Sequence, residues 1–519
     1  MAKEKFFWAD AIAERMINER GKKEIYVCAS GITPSGTVHI GNFREVITTD
    51  LVVRALQDRG INVRFIYSWD DFDRFRKVPK NVPEKFEKYI GMPVSDVPSP
   101  SGRGTYAEYF EKEFEESLKE VGIKPEFIRQ SIMNKKCKYA HLIKTALDNK
   151  EIIMEILDKY RKEPLAKDWY PVAIYCEKCK KDFTKILGVS GYEIEYECKC
   201  GFKNKIDYRK KGIVSVKWRT DWPMRWKYEM VDFEAAGIDH NVFGGSFMTG
   251  KQIAKEVFDY EGPIGLMYEW LTVKGIKLRD FHSSKGNVFT LKDVGEIYEP
   301  EVLRYLFVGT RPNKGFQISF DNDVIKIYED FDALEKKYFD RKANKQERRI
   351  YELSCLKKTT KNFSTKNFGA TKSRTQDFVG KNKPKRESFR HLITLVQSCK
   401  AGKLKGSAKV RAEKVRNWLE KYAGNDMKFE IQEKIKIKLN KKEKEALILL
   451  REFLKKKNYS EKDLFNEFYK ICKDVDINNK DFFAAAYKVI INKQKGPRLT
   501  ALILDVGKDK VIKLLEQIR

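Results

Sequence analysis

The most constraining feature of this sequence is a strand–helix–strand pattern near its start. Residues 25–30 form a short apolar, β-prone run that ends at Gly31, and apolar residues then recur at helical spacing over residues 39–59, up to Gly60. A second strand-like run follows over residues 63–69. Two strands of one sheet joined by a helix lie parallel, with a right-handed crossover. The pattern therefore predicts an α/β fold built on a Rossmann-type parallel sheet.

The α/β pattern continues for more than half of the chain. Another strand-like run covers residues 264–270, and a helix with proline at its first position covers residues 300–308. We therefore place a first domain at residues 1–330, with an insertion at about residues 92–212. A chain of 519 residues is too long for a single hydrophobic core, so further domains are expected.

The last third of the chain has a different composition. Helical periodicity and many lysines over residues 414–422, 443–456 and 481–491 predict an all-α domain at residues 331–519. The stretch 355–388 is polar and has little to bury, which predicts a long exposed loop.

The chain carries a large excess of positive charge. Its 104 Lys and Arg residues outnumber 75 Asp and Glu, giving a formal net charge of +29. Such an excess repels itself unless a polyanion neutralises it, so nucleic acid is the first partner to consider. A lysine-rich surface without such a partner is the alternative. No apolar run approaches the roughly 18 to 20 residues that span a bilayer, and residues 1–10 lack a signal-peptide layout. We expect a cytoplasmic protein with no membrane partner.

Four of the nine cysteines are grouped within residues 171–205. Cys176 and Cys179 have the usual Cys-x-x-Cys spacing, whereas Cys198 and Cys200 are one residue closer. In a reducing compartment this grouping favours metal ligation over disulfides, and four thiolates are typical of a tetrahedral Zn²⁺ site. Thiolates in all four positions leave no place for an activated water. We therefore predict zinc knuckles with a structural role.

The strongest local motif lies between the first strand and the following helix: Pro34-Ser35-Gly36-Thr37-Val38-His39-Ile40-Gly41-Asn42. It resembles the HIGH signature of class I aminoacyl-tRNA synthetases. Helix N-terminal amides and a histidine can donate hydrogen bonds to a triphosphate, where charge develops as pyrophosphate leaves. Gly41 has no side chain and lets an adenine approach the backbone closely. The resemblance implies ATP binding by Pro34, Ser35, Gly36, His39, Gly41 and Asn42.

A second motif resembles the mobile lysine-bearing loop of the same class: Asp280-Phe281-His282-Ser283-Ser284-Lys285-Gly286-Asn287. The resemblance implies that Lys285, with Ser283 and Ser284, contacts the phosphates of ATP. Asp280 departs from the pattern, because the family has a lysine there and a carboxylate repels phosphates unless it is paired.

Segments in both halves of the chain are similar to one branch of this class, the class I lysyl-tRNA synthetases. They cover most of the sequence except roughly residues 340–388. The matching segments include Asp70-Asp71-Phe72-Asp73-Arg74, Trp218-Arg219-Thr220-Asp221-Trp222, Tyr268-Glu269-Trp270, Phe389-Arg390-His391-Leu392 and Gly496-Pro497-Arg498-Leu499.

The resemblance also implies a lysine pocket. Independently, an ammonium on a four-carbon stem is suited by aromatic faces and one carboxylate. Asp70, Asp71 or Asp239 could supply that carboxylate. A departure is Ile238, where the family has a lysine. By resemblance, the pocket is lined by Gly31, Thr33, Trp218, His240 and Tyr268.

The family resemblance implies an enzyme that activates lysine with Mg²⁺-bound ATP and transfers it to the 3′ terminal adenosine of tRNA(Lys). His39, Asn42 and Lys285 would act by positioning and charge stabilisation. Residues 331–519 would bind the anticodon, and a monomer is expected. Two alternatives remain open. One is another class I synthetase, such as a glutamyl enzyme, whose pocket needs a basic residue. The other is a non-catalytic tRNA-binding protein descended from a synthetase, which Asp280 and Ile238 would suit.

Overall fold

Helices and strands alternate in the first part of the chain, and helices alone follow. A computed structural model describes residues 7–275, 288–356, 375–398, 404–435, 437–456 and 459–518. The strands are β1 (Tyr26–Ile32), β2 (Val63–Trp69), β3 (Glu126–Arg129), β4 (Val172–Ile174), β5 (Thr184–Ser190), β6 (Glu193–Cys198), β7 (Lys203–Asp207), β8 (Val214–Val216), β9 (Phe233–Gly237), β10 (Ile264–Tyr268), β11 (Leu271–Val273) and β12 (Phe316–Ile318).

The α-helices of the described residues are α1 (Trp8–Arg20), α2 (Ile40–Asp58), α3 (Tyr106–Glu120), α4 (Gln130–Lys135), α5 (Ala140–Asp148), α6 (Lys150–Asp158), α7 (Trp218–Glu229), α8 (Ile238–Asn241), α9 (Ser246–Phe258), α10 (Leu291–Gly295), α11 (Pro300–Gly309), α12 (Asp323–Phe339), α13 (Lys345–Ser354), α14 (Phe389–Gln397), α15 (Gly406–Lys421), α16 (Lys441–Lys455), α17 (Glu461–Asp474), α18 (Asn479–Ile491), α19 (Leu499–Val506) and α20 (Lys508–Leu515).

The central sheet has five parallel strands in the order β10-β9-β1-β2-β3. Strands β1 and β2 pair along their whole length, from Tyr26 opposite Val63 to Ile32 opposite Trp69, and α2 connects them. The predicted parallel α/β core is therefore confirmed. The carboxyl ends of these strands all meet at one edge of the sheet, which is where ligands bind in such folds.

Apolar side chains from the sheet and from the helices on it form the core around this edge. Val27, Ala29 and Ile66 of the sheet pack with Trp226 of α7 and Phe247 of α9, all of them buried. Complete burial of one large apolar side chain is worth about 1.5–3 kcal/mol. Helices α7 and α9 are therefore held firmly against the sheet, and so are the residues at their ends.

The predicted insertion at about residues 92–212 needs a correction. Strand β3 lies inside that range, yet it pairs with β2 as the edge strand of the central sheet, and its Ile128 is buried. A separate hydrophobic cluster forms only after β3, where α5 and α6 pack with the short strands that carry the cysteines.

The chain divides into two compact units. Unit 1 comprises residues 1–295, 300–318 and 340–381, and unit 2 comprises residues 296–299, 319–339 and 382–519. The boundary predicted near residue 330 thus falls inside α12, a helix of unit 2. The chain passes between the units several times instead of crossing once.

Unit 2 is helical in the described residues, as predicted for the C-terminal part. In one cluster Tyr328 of α12 stacks on Phe389 of α14 at 4.4 Å between ring centroids, and Phe389 packs edge-on against Trp418 of α15. The buried Arg411 bridges Glu299 at 2.6 Å and Asp332 at 2.8 Å. Helices α16 to α20 enclose a second apolar core.

The stretch 355–388, predicted to be an exposed loop, is only partly described. Residues 357–374 lie outside the described residues. In unit 1, residues 375–378 form a short 3-10 helix with Thr375 and Phe378 buried. The Thr375 amide donates to Asp58 at 2.5 Å, and the Arg54 guanidinium lies over the Phe378 ring at 5.3 Å. The exposed-loop prediction is therefore wrong for this part. No helix in the described part of the chain is both long and apolar enough to cross a membrane.

Candidate active site

A cavity of about 840 Å³ opens at the carboxyl edge of the central sheet in unit 1. Most of the predicted site residues line it, although they come from segments far apart in the sequence. Pro34 and Gly36 lie in the same loop but are buried beneath it. The predicted residues Ser283, Ser284 and Lys285 lie outside the described residues. The predicted residues that line the cavity are Gly31, Thr33, Ser35, His39, Gly41, Asn42, Asp70, Trp218, Asp239, His240 and Tyr268.

His39 caps the N-terminus of α2 with its side chain. Its Nδ1 accepts a hydrogen bond from the Gly41 amide at 3.1 Å, and the Asn42 Oδ1 accepts one from the His39 amide at 3.1 Å. Because Nδ1 acts as an acceptor, the neutral imidazole carries its proton on Nε2. The N-terminus of α2 therefore combines a positive helix dipole with an imidazole N–H donor, which together suit an anion.

The described residues that directly follow 276–287 lie next to this helix end. The Ile40 amide donates to the carbonyl of Phe289 at 2.7 Å, and His39 pairs with Thr290 in an isolated antiparallel bridge. Before residue 276, the Lys274 amide donates to the carbonyl of Ile318 at 2.9 Å, next to the pairing of β11 with β12. Phe289 and Thr290, which follow the second motif in the sequence, therefore contact the first motif at His39 and Ile40.

Asp70 is already engaged in an ion pair. The Arg225 guanidinium contacts both of its carboxylate oxygens, at 2.5 and 3.2 Å, and also contacts Asp221 at 3.0 Å. Asp71 accepts hydrogen bonds from the amide, at 2.7 Å, and the hydroxyl of Ser131. The Asp70 charge is thus already paired with an arginine, and Asp71 is buried and lines neither cavity, so the structure does not favour either of them as the partner of an ammonium.

Glu45 is the acidic residue that the sequence reasoning missed. It projects from α2 and accepts hydrogen bonds from the Gly31 amide at 2.9 Å and from the Tyr268 hydroxyl at 3.0 Å. Burial and the nearby Glu234 carboxylate raise the pKa of Glu45 to about 8. Within the described residues, no cationic side chain forms a hydrogen bond or ion pair with Glu45. A carboxyl in this state gains most from a cation supplied by a ligand. The available signal was a pair of charged residues, Arg44 and Glu45, between the apolar Phe43 and Val46 of a largely buried helix.

Gly31 is required by the close packing of β1 on β2. A Cβ at this position would lie 2.6 Å from the carbonyl oxygen of Ser68, well inside contact distance. The glycine therefore keeps the strand end flat and leaves its amide directed at Glu45. This explains the Gly-Ile-Thr sequence before the first motif.

Aromatic rings form one wall of the cavity. Trp218 stacks on Trp222 with 4.8 Å between ring centroids and 19° between planes, and the His240 ring packs edge-on against Trp222 at 5.5 Å. The Nδ1 of His240 lies 2.7 Å from the Ser246 hydroxyl. An adjoining cavity of about 70 Å³ is lined by Glu45, Trp218 and His240, among others. The arrangement offers ring faces and a carboxyl to an elongated cationic group.

The four predicted metal ligands converge from two connections, one between β4 and β5 and the other between β6 and β7. Cys176 and Cys179 follow β4, Cys198 ends β6, and Cys200 lies in the next turn. The sulfur atoms are 3.7 Å apart for Cys176 and Cys200, 3.6 Å apart for Cys179 and Cys198, and all lie within 4.8 Å of one another. A tetrahedral site with Zn–S bonds of about 2.3 Å requires sulfur separations of about 3.8 Å. The cluster can hold a metal ion, and the shorter second spacing does not prevent it.

The fold and the site define a nucleotide-binding α/β protein of the class I tRNA synthetase type. A sequence model of the family described as tRNA synthetases class I (K) matches residues 6–357. The lysine–tRNA ligase of Borreliella burgdorferi is 42% identical over 98% of this chain and 98% of its own length. That of Pyrococcus horikoshii is 38% identical over 98% of this chain and 99% of its own. The chain belongs to the lysine (K) family of class I tRNA synthetases.

Among solved structures, a glutamate tRNA ligase from Elizabethkingia meningosepticum is also similar. It shares 14% sequence identity with this chain, with a TM-score of 0.47, over 96% of this chain and 100% of that one.

Proposed function

We propose that this protein is a lysine–tRNA ligase, which joins lysine to ATP as lysyl-adenylate and then transfers lysine to the 3′ end of tRNA(Lys). The observation that carries the proposal is Glu45, a carboxyl hydrogen-bonded to Gly31 and Tyr268 at the end of an aromatic-walled cavity. Family membership and the names of the relatives support the same substrate.

A glutamyl activity suits this pocket less well. A glutamate side chain requires a cation, and the arginine that lines the smaller cavity, Arg225, is already paired with Asp70 and Asp221. The acids Glu45 and Glu234 both face that region and would repel a second carboxylate.

In the proposed reaction, a carboxylate oxygen of lysine attacks the α-phosphorus of ATP, and the bond to pyrophosphate breaks. His39 and Asn42, at the N-terminus of α2, would position the phosphates together with Ser35 and Gly41. Lys285, Ser283 and Ser284 would reach them from the second motif. A hydroxyl of the terminal adenosine ribose then attacks the lysyl carbonyl and releases AMP. Mg²⁺, when bound to ATP, would neutralise phosphate charge. The protein mainly positions the reactants.

Lysine would lie along the aromatic wall, with its ammonium at Glu45. Trp218, His240 and Tyr268 would contact the stem, and Gly31, Thr33 and Asp239 would line the rest of the pocket. Asp70 would act indirectly, because its ion pair with Arg225 holds the strand end in place.

Unit 2 is the part of the chain that we propose binds the anticodon stem. Over residues 382–519, Lys and Arg outnumber Asp and Glu about two to one. Phosphate neutralisation with release of counterions would then supply much of the affinity for tRNA, which should fall steeply as salt increases.

We propose that the cysteine cluster binds Zn²⁺ and stabilises the two cysteine-bearing connections. Replacing Cys176 by serine should release the zinc and lower the melting temperature of unit 1, since the ligand set organises both connections. ATP binding should be largely retained. Metal analysis and thermal melting test this, with Cys137→Ser as a control outside the cluster that keeps its zinc. A wild-type protein that retains no zinc after loading would contradict the assignment.

The decisive test of the proposed function is aminoacylation by purified protein, with tRNA included in every assay. We expect lysyl-tRNA to form and glutamate to be rejected. Formation of glutamyl-tRNA would support the glutamyl alternative. Tight tRNA binding without any aminoacylation would support a non-catalytic tRNA-binding protein.

A further inference from the structure

Phe243 is the most exposed large apolar side chain in the described part of the chain. It retains 88% of its accessible surface, and its neighbour Val242 retains 52%. Both lie in the short connection between α8 and α9. A single exposed apolar side chain is common on protein surfaces, so the exposure of Phe243 gains meaning only from its surroundings.

The connection that carries Phe243 is fixed in place. The Gly245 amide donates to the Val242 carbonyl at 2.7 Å, and the Arg219 guanidinium donates to the Gly244 carbonyl at 2.9 Å. Gly244 has a φ of +71°, and a Cβ there would lie 2.7 Å from the Cβ of Tyr160. The ring of Phe243 therefore occupies a defined position, edge-on to Tyr160 at 5.2 Å and 82°.

The connection that carries this ring is attached to residues that line the large cavity. His240 lines that cavity and lies only three residues before Phe243, which limits the distance between their Cα atoms to about 11 Å. Trp218 also lines it, and the next residue, Arg219, binds the Gly244 carbonyl. Tyr160, which contacts the Phe243 ring, is neighboured in the sequence by the exposed Lys159, Arg161 and Lys162.

We propose that Phe243 is a stacking platform for the single-stranded 3′ end of tRNA, and that it positions the terminal nucleotide for lysyl transfer. The proposal rests on the proposed function, because it assumes that the 3′ end must enter this cavity. Unpaired RNA bases stack on aromatic side chains, and nearby cations contact the phosphates. The flanking Lys159, Arg161 and Lys162 match this pattern. Phe243 acts here as a positioning residue for the transfer step.

The test compares two tRNA(Lys) transcripts, one intact and one without the terminal adenosine. Equilibrium binding is measured for the wild-type protein, Phe243→Ala, Phe243→Tyr and Val242→Ala. Loss of one stacked base weakens binding about tenfold. We expect this tenfold loss of affinity when the wild-type protein binds the truncated transcript, and when Phe243→Ala binds the intact one. Phe243→Ala with the truncated transcript should show no further loss. Tyrosine should restore the wild-type pattern, and Val242→Ala should keep it.

Three results would overturn the proposal. Phe243→Ala could weaken the binding of both transcripts equally, or it could weaken the binding of neither. It could also raise the KM for ATP and leave tRNA binding unchanged. Because Phe243 is exposed, its substitution should leave the melting temperature almost unchanged, and a lowered value would reveal misfolding. The tyrosine variant gives a second, nearly isosteric measurement. Adenosine-dependent binding without lysylation would leave the platform standing and refute the proposed function. Lysylation by a protein in which the terminal adenosine and Phe243 contribute independently to binding would support the proposed function and refute the platform.

Discussion

Replacement of His39 by alanine should lower lysine-dependent ATP–pyrophosphate exchange by about 100-fold or more. The imidazole stands at the N-terminus of α2 with Nδ1 bound to the Gly41 amide, so Nε2 carries the proton that a phosphate oxygen can accept. One preorganised donor to oxygens that gain charge in the transition state is typically worth about 3 kcal/mol. The ratio of the steady-state ATP–pyrophosphate exchange rates of the wild-type protein and the His39→Ala variant, measured with tRNA present, tests this expectation.

The same substitution also removes a helix cap, and a control must separate the two effects. Loss of an N-cap side chain costs about 1 kcal/mol of stability, and asparagine is among the best N-cap residues. His39→Asn should therefore retain the melting temperature of the wild-type protein but remain strongly impaired in exchange. Full activity in His39→Asn would mean that capping alone explains the alanine variant, and His39 would have no part in phosphate binding.

Replacement of Glu45 by glutamine should raise the KM for lysine by about 30-fold or more, with little change in the KM for ATP. Removal of one partner from a desolvated charge pair costs about 2–5 kcal/mol. Glutamine has the same shape and can still accept the Gly31 amide, so the strand end should keep its geometry. Asp239→Asn is the matched control, because Asp239 is the other candidate carboxylate at this cavity. If the larger effect falls on Asp239→Asn, the ammonium lies there instead.

The Glu45 assignment also has a pH signature. Burial raises the pKa of Glu45 to about 8, so at neutral pH most of the free protein holds this carboxyl protonated. A bound ammonium favours the carboxylate, so lysine binding must release a proton. Affinity for lysine should rise from about pH 6.5 to about pH 8, by at most about tenfold per unit, and then level off. Calorimetry in buffers of different ionisation enthalpy measures the proton release, and Glu45→Gln should abolish it.

The sequence was informative where short-range pattern dictates structure. Glycines and apolar periodicity around β1, α2 and β2 predict a parallel sheet, because few other arrangements bury those residues. The first motif then falls at the carboxyl edge of that sheet. The spacing of Cys176 to Cys200 predicts a cluster for the same reason, since four thiolates in a short segment have few other uses.

Long-range pairing is what the sequence did not reveal. Asp70 and Arg225 are 155 positions apart, and only the folded sheet brings them to 2.5 Å. The same is true of Glu45 and Tyr268, separated by 223 positions. Which carboxylate is neutralised and which is available to a ligand depends on these tertiary contacts. Strand β3 was assigned to an insertion for a similar reason, because four residues carry too little pattern to reveal their partner.

The repeated passage of the chain between units 1 and 2 bears on how the protein emerges from the ribosome. Helix α12 ends at Phe339, but its packing partner α14 begins only at Phe389, about 50 residues later. Because translation adds about 5–20 residues per second, the apolar face of α12 is without its packing partner α14 for several seconds during synthesis. The nascent chain therefore exposes the apolar face of α12 after unit 1 has begun to fold. Chaperone binding during this interval would do most to prevent aggregation.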